Sequence, residues 1–440
     1  MTRQQKGMIA GLAACLALSA GLLAQEKMTL QQFIDEAVRN SAAVQIAGES
    51  VSGAESRVRE ARSVSLPQVS FASSYTRLSL TSEFDIPNLG HFKFSSPDNY
   101  SFRLGAAQPL FTWGRNKTTI EMSKIGTDIA RSGVVLTTQV LAYQIVPIFY
   151  GVLFTGEAVK VIDTTLASLD GKLAILEERF RAGLVSDLDI ALLKVQTSGL
   201  KSQRLDFLNS LNDMMMTYNR IAGRPLESTF VPVASLAFEP FRAEAAVLLA
   251  EAVANRPEAR LIQNQKELAQ TQIALTRTAD KPNVFASFNY EFRNGYLPNV
   301  NKIRGYWNAV LAVSYPLFDG NRTRAQVAES QVALRTVEEQ ASDMEKGFGL
   351  EIAQGLADVQ SIEDKIAIET TKIEYAEKAL KIADERYRNG LLSMTELVDA
   401  QNSLDTARLN YLQLVYNHIL GRFSLLKASG RKLVNLGETP

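Results

Sequence analysis

Glu178-Arg179-Phe180-Arg181-Ala182-Gly183-Leu184-Val185-Ser186 returns 207 positions later as Glu385-Arg386-Tyr387-Arg388-Asn389-Gly390-Leu391-Leu392-Ser393. The likeness extends over Leu173 to Gln196 and reappears upstream. Gln108-Pro109-Leu110-Phe111 answers Tyr315-Pro316-Leu317-Phe318 at the same spacing of 207, and Leu66-Pro67-Gln68-Val69 answers Lys281-Pro282-Asn283-Val284 at 215. The slip of eight residues between these pairs puts a longer loop in the first copy. Self-similarity at a fixed period outranks local propensity in deciding a fold. The 440 residues therefore read as two copies of one unit, either as separate domains or as intertwined halves of one body.

Each copy opens on a helix. Thr29-Leu30-Gln31-Gln32 has the form of a capping box, and Leu30, Phe33, Ala37, Ser41 and Val44 follow at helical spacing, predicting a helix to about Ser65. Its counterpart runs from about Ala243 to Asp280, with a restart at Pro257. The period then changes to two, within 69–110 and 284–317. Tyr100, Phe102, Leu104 and Ala106 share one face and Ser101, Arg103 and Gly105 the other; Phe288, Tyr290 and Phe292 alternate with Ser287, Asn289, Glu291 and Arg293. Thr81 to Asn99 and Asn294 to Arg304 read as exposed turns.

Two long helical stretches follow, from about Arg115 to Arg181 and from about Arg322 to Arg388. At 1.5 Å per residue each reaches roughly 100 Å and needs partners along its length. The return helices offer a seam: Ile190, Leu193, Thr197 and Leu200, and Leu397, Ala400, Leu404 and Ala407, step by three and four. Thr and Ala dilute this seam, which suits helices around a wide tube. Pro147 and the neighbouring glycines are expected to bend the first long helix. The expected organisation is 1–24 as a signal peptide, 25–222 as the first repeat, 223–242 with its three prolines as a linker or equatorial belt, 243–427 as the second repeat, and 428–440 as a tail.

Arg3 and Lys6 precede an apolar, small-residue run from Met8 to Ala24, the pattern of an export signal cleaved near Ala24. Cys15, the single cysteine, follows Leu12-Ala13-Ala14 and fits lipoprotein processing, but the apolar run continues to Leu23, which favours ordinary cleavage; lipidation at Cys15 is the minor reading. Charge balance, 47 basic against 47 acidic side chains, leaves no electrostatic footprint for nucleic acid. With His91 and His418 as the only histidines, no metal site, cofactor motif or catalytic triad is expected, and no phosphate loop is present.

An exported sheet with one apolar and one polar face is either half of a soluble sandwich or a barrel wall between lipid and water. Four strands cannot close a barrel alone, and open edges cannot sit in hydrocarbon. A membrane role therefore requires several chains per barrel. The sandwich reading leaves the two long helices unexplained.

On the paired tip turns and the two Pro-Leu-Phe strand ends, the chain resembles the TolC-like outer membrane efflux factor family, from Thr29 to about Leu425. The resemblance implies an α+β membrane protein: a long α-helical coiled-coil tunnel in the periplasm, joined to an antiparallel β-barrel shared between three chains, four strands each. It implies a homotrimer in the Gram-negative outer membrane that passively exports substrates delivered by a periplasmic membrane fusion adaptor and, indirectly, an inner-membrane transporter. Adaptor docking would fall on Arg181, Gly183, Leu184, Ser186, Arg388, Gly390, Leu391 and Ser393, and an acidic periplasmic constriction on Asp189, Glu396 and Asp399. Leu392 stands where some relatives carry a basic gating residue, so Tyr387 and Arg388 are the substitute gating candidates. The alternative is an exported structural or adhesive coiled-coil oligomer without transport. A periplasmic enzyme or binding module is a third reading, without a motif to carry it.

Overall fold

The computed structural model describes residues 26–87, 90–297 and 299–434, so the expected signal segment with Cys15 lies outside the described residues. In chain order the elements are β1 (Glu26–Met28), α1 (Leu30–Asn40), α2 (Ala42–Ser63), β2 (Gln68–Arg77), β3 (Glu83–Ile86), β4 (Gly90–Lys93), β5 (Asp98–Phe111) and α3 (Arg115–Arg181). There follow α4 (Asp187–Ala222), β6 (Phe230–Pro232), α5 (Ala245–Asn255), α6 (Pro257–Thr276), β7 (Asn283–Arg293), β8 (Arg304–Ser314), α7 (Arg322–Arg388) and α8 (Met394–Ala428). The chain divides into two compact units, each drawing segments from both halves of the sequence.

One unit, Ala47–Gly133 with Arg260–Asp343, holds the sheet. Its order is β2-β5-β7-β8, antiparallel throughout, so the central β5–β7 pairing joins strands from the two halves. The register fixes the faces. Phe71 lies opposite Leu104, Phe102 opposite Phe292 and Tyr290 opposite Trp307, while Arg103 lies opposite Glu291 and Glu291 opposite Tyr306. The apolar face is left bare: Phe71, Leu104, Phe288, Trp307, Leu311 and Val313 are all exposed. The β5–β7 register shifts between Pro109 and Phe111, where proline supplies no ladder N–H.

The other unit, comprising the described residues up to Ile46, Val134–Ala259 and Met344 onward, is helical and built on buried clusters. In the first, Phe33 is fully buried, its ring stacked 3.5 Å from that of Tyr218, with Phe149 and Phe230 edge-on to it. Phe230 arrives on β6, which pairs in parallel with β1. A second region clamps the proline-rich segment. Buried Glu363 on α7 accepts hydrogen bonds from the Phe241 backbone N–H at 2.8 Å and Arg242 at 2.6 Å, and meets His418 Nε2 of α8 at 3.1 Å. Burial pushes the Glu363 carboxyl up, but the Phe241 N–H, Arg242 and His418 together hold it below the usual range.

Several expectations are corrected. The opening helix breaks at Ser41, whose N–H caps α1 on the Ala37 carbonyl and whose backbone is extended. The turn between the first two strands contains the short β3–β4 hairpin, and His91 lies on β4 rather than in a loop. The 223–242 segment includes β6, whose partner β1 is 204 residues earlier and could not be read from local pattern.

Removing the Glu363 acceptor leaves the Phe241 N–H and the fully buried His418 Nε2 without their partner. Glu363→Ala is expected to lower stability by about 2 kcal/mol. The stabilisation from its depressed pKa is present above the unfolded carboxyl value, about 4.3, and is lost as pH falls through the lower folded value. The gap between the thermal melts of wild type and variant should therefore narrow as pH falls below about 4.3; a constant gap across that range would contradict the assignment.

Candidate functional site: the paired helical tips

Each long helix stops the same way. Gly183 has φ +73° and Gly390 φ +72°, the left-handed conformation that glycine adopts without a side-chain penalty. The Leu184 N–H bonds the Arg179 carbonyl and the Gly183 N–H the Phe180 carbonyl, both at 2.9 Å; Leu391 to Arg386 at 2.9 Å and Gly390 to Tyr387 at 3.0 Å repeat the pattern. These are Schellman closures, which satisfy the last carbonyls of α3 and α7.

The return helices start on reciprocal capping boxes. Ser186 accepts from the Asp189 N–H at 3.2 Å, and the Asp189 carboxylate accepts the Ser186 N–H at 3.3 Å. Ser393 and Glu396 do the same, Glu396 Oε2 lying 2.9 Å from the Ser393 nitrogen and 2.7 Å from its hydroxyl. These bonds from the Ser393 N–H and hydroxyl hold the Glu396 carboxyl below the ordinary range. Two of the three expected constriction residues are thus engaged locally as helix caps. Asp399 is exposed and forms no ion pair among the described residues. Asp187, absent from the expectations, adds a second acid to the first turn of α4.

The residues on either side of each turn part company. Leu184 is 73% and Leu391 75% exposed, whereas Val185 and Leu392 pack against a buried cluster that includes Ile190, Leu193, Met394 and Leu397. Leu392 is thus an inward apolar contact, consistent with the absence of a basic side chain there. Tyr387 packs on the same cluster, and its hydroxyl is buried without a hydrogen-bond partner. Burial pushes its pKa up, reinforced by the Asp189 carboxylate from the other tip. Arg388 pairs with Asp384 at 2.8 Å, and Asp384 also takes Lys172 of α3 at 3.4 Å. Arg181 is exposed at the end of α3.

Sequence reading missed the links between the two helical hairpins. Thr165 of α3 donates to Asp405 of α8 at 2.8 Å, Gln401 holds the same carboxylate, and Gln196 bonds Asn402. Burial pushes the Asp405 carboxyl up, with Thr165 and Gln401 opposing. The capping boxes were legible as Ser-x-x-Asp and Ser-x-x-Glu; the Asp405 site was not, since nothing in the heptads says which polar position faces inward.

Separating cap from charge is direct. Ser393→Ala should destabilise the folded chain by about 1 kcal/mol, whereas Glu396→Gln, which keeps the acceptor and loses only the charge, should lower the thermal midpoint by less. An equal loss in both variants would show that the carboxylate charge, not the cap, is the stabilising element.

Comparison with known proteins places this arrangement. A family model described as outer membrane efflux protein matches residues 33–222 and 248–431. The chain is 22% identical over 407 residues to the toluene efflux pump outer membrane protein TtgI of Pseudomonas putida, covering 91% of this chain and 85% of that protein. It is 21% identical over 412 residues to the pyoverdine export outer membrane protein OpmQ of Pseudomonas putida, with the same coverage of 91% and 85%. The solved structure of the outer membrane protein VceC from Vibrio cholerae superposes with a TM-score of 0.73 at 18% identity, covering 92% of this chain and 97% of that one. A family match across both halves, together with a shared fold over nine-tenths of its length, shows that the chain belongs to the outer membrane efflux protein family.

Proposed function

We propose that this chain is the passive outer membrane duct of a tripartite efflux or secretion system, assembled as a homotrimer. Three copies of the four-stranded sheet would close a twelve-stranded barrel, with the bare apolar face toward lipid and the polar face toward the lumen. The observation that carries this reading is the sheet itself: a two-faced, four-stranded sheet whose strands β5 and β8 lead into 67-residue helices. In this reading the two halves are copies of one duplicated unit, with 223–242 as a belt between them. The family's members are channels rather than enzymes, which disfavours the alternative of a structural or adhesive oligomer.

The tips are proposed as the periplasmic entrance. Leu184 and Leu391 would serve as adaptor contacts, supported by their exposure at turns where the next residue, Val185 or Leu392, packs inward. Arg181 and Arg388 flank them, and Gly183, Gly390, Ser186 and Ser393 set the turn shape. Asp189, Glu396 and Asp399 would form acidic rings under threefold symmetry, attracting cations. Gating is assigned to Tyr387 and to the Arg388–Asp384–Lys172 pairing, which ties one tip to the other. Energy would come from the inner-membrane transporter. Cargo is not named by any residue at the tips, and the toluene and pyoverdine of the relatives' names are two candidates among many.

Purified protein in planar bilayers is expected to form cation-preferring pores, and Asp189→Asn/Glu396→Gln/Asp399→Asn, which retains the cap acceptors, should shift the reversal potential toward zero. An unshifted reversal potential would move the filter away from the tips; folded oligomers without conductance would favour the structural alternative. Leu184→Ser/Leu391→Ser should weaken adaptor binding about a hundredfold, from roughly 1.5 kcal/mol per buried leucine, and unchanged binding would remove the docking role.

A further inference from the structure

The polar face of the sheet carries four ionisable side chains of fixed charge: Arg103 on β5, Glu291 and Arg293 on β7, and Arg304 on β8. All lie in the half of the sheet remote from the strand ends that lead into α3 and α7. Glu291 is fully committed. It is 3% exposed, accepting from Ser101 Oγ at 2.6 Å, Tyr306 Oη at 2.6 Å, and Arg103 Nε and Nη2 at 3.2 and 3.0 Å. Its charge is consumed by Arg103.

Arg293 and Arg304 remain. They stand directly opposite each other across the β7–β8 ladder, an arrangement of like charges that costs stability. Both are exposed, and neither forms an ion pair among the described residues. Arg293 is instead held against rings, its guanidinium 4.9 Å from the centroid of Tyr296 and 5.7 Å from that of Tyr306. Those two rings also meet edge to face at 5.5 Å, forming a stiff support. A fold seeking only stability would place a carboxylate across from one of these arginines. Three arginines against one glutamate leave two net positive charges per chain on this face.

We propose that Arg293 and Arg304 form an anion-attracting ring at the exit of the duct, which concentrates small organic or inorganic anions such as carboxylates, sulfonates and phosphates at that opening. The inference rests on the reading that three sheets close one barrel with this face inward, which would gather six net positive charges around one opening. It deepens that reading by giving the exit a sign opposite to that of the acidic tips. Cargo would then meet acidic side chains on entry and basic ones on departure.

The test is current block by hexacyanoferrate(II), a tetravalent anion, in planar bilayers at 0.1 M KCl with the full protein. Block is expected at millimolar concentration from the barrel side. Arg293→Gln/Arg304→Gln should need about tenfold more anion, Arg293→Lys/Arg304→Lys should retain the block, and 1 M KCl should abolish it in wild type by shortening the screening length to about 3 Å. The single Arg304→Gln should fall between wild type and the double variant, so the answer survives if the double variant does not assemble. Block unchanged in either glutamine variant, or persisting at 1 M KCl, would overturn the proposal. A protein that forms no pore at all would instead contradict the channel reading on which it rests.

Discussion

Among the described residues β2 and β8 each pair on one side only, so the sheet ends in two rows of backbone N–H and C=O groups without a partner strand. In water those groups would be solvated. In hydrocarbon each unpaired group costs several kcal/mol, and no loop or side chain supplies a complete substitute along a ten-residue strand. The sheet also exposes aromatic and aliphatic side chains along an entire face, far beyond what a monomeric soluble surface carries. In the proposed duct further copies of the chain complete the sheet, the β2 edge of one meeting the β8 edge of the next. The trimeric duct proposed here follows from that need for edge pairing.

The helical unit meets a different constraint. Helices of 67 residues have carbonyls to satisfy at their ends and apolar stripes to bury along their sides. The ends are solved locally, by a left-handed glycine and a serine–carboxylate cap at each turn. The sides are solved by mixing all four helices of the two hairpins into one buried cluster, with Lys172–Asp384 and Thr165–Asp405 as cross-links. A carboxylate at the tip therefore does two jobs at once. Glu396 caps its helix and leaves a negative charge at the tip, which is why replacing it with glutamine is more informative than truncating it.

Much of this was legible in the residues. The long helices end at Arg181 and Arg388 as the tip motifs require, because Gly-Leu-x-Ser encodes a stop and a restart within a few residues. The strand faces were also legible, since alternation of Phe and Tyr with Ser, Asn, Glu and Arg has one geometric meaning in a sheet. What escaped reading was long-range. The β1–β6 pair unites residues 204 apart, and the break at Ser41 has no proline or glycine to mark it in the sequence. His418 is fully buried on α8, and its meeting with Glu363 depends on which turn of α7 lies beside it. Neither helix records that register on its own.

A closed barrel requires the β2 and β8 edges to be paired when the protein is in a membrane. Amide hydrogen exchange in lipid nanodiscs, resolved by strand, measures this directly. The prediction is that β2 and β8 are protected to the same degree as the central strands β5 and β7. Protection confined to β5 and β7, with β2 and β8 exchanging as open edges, would contradict a closed barrel shared between chains.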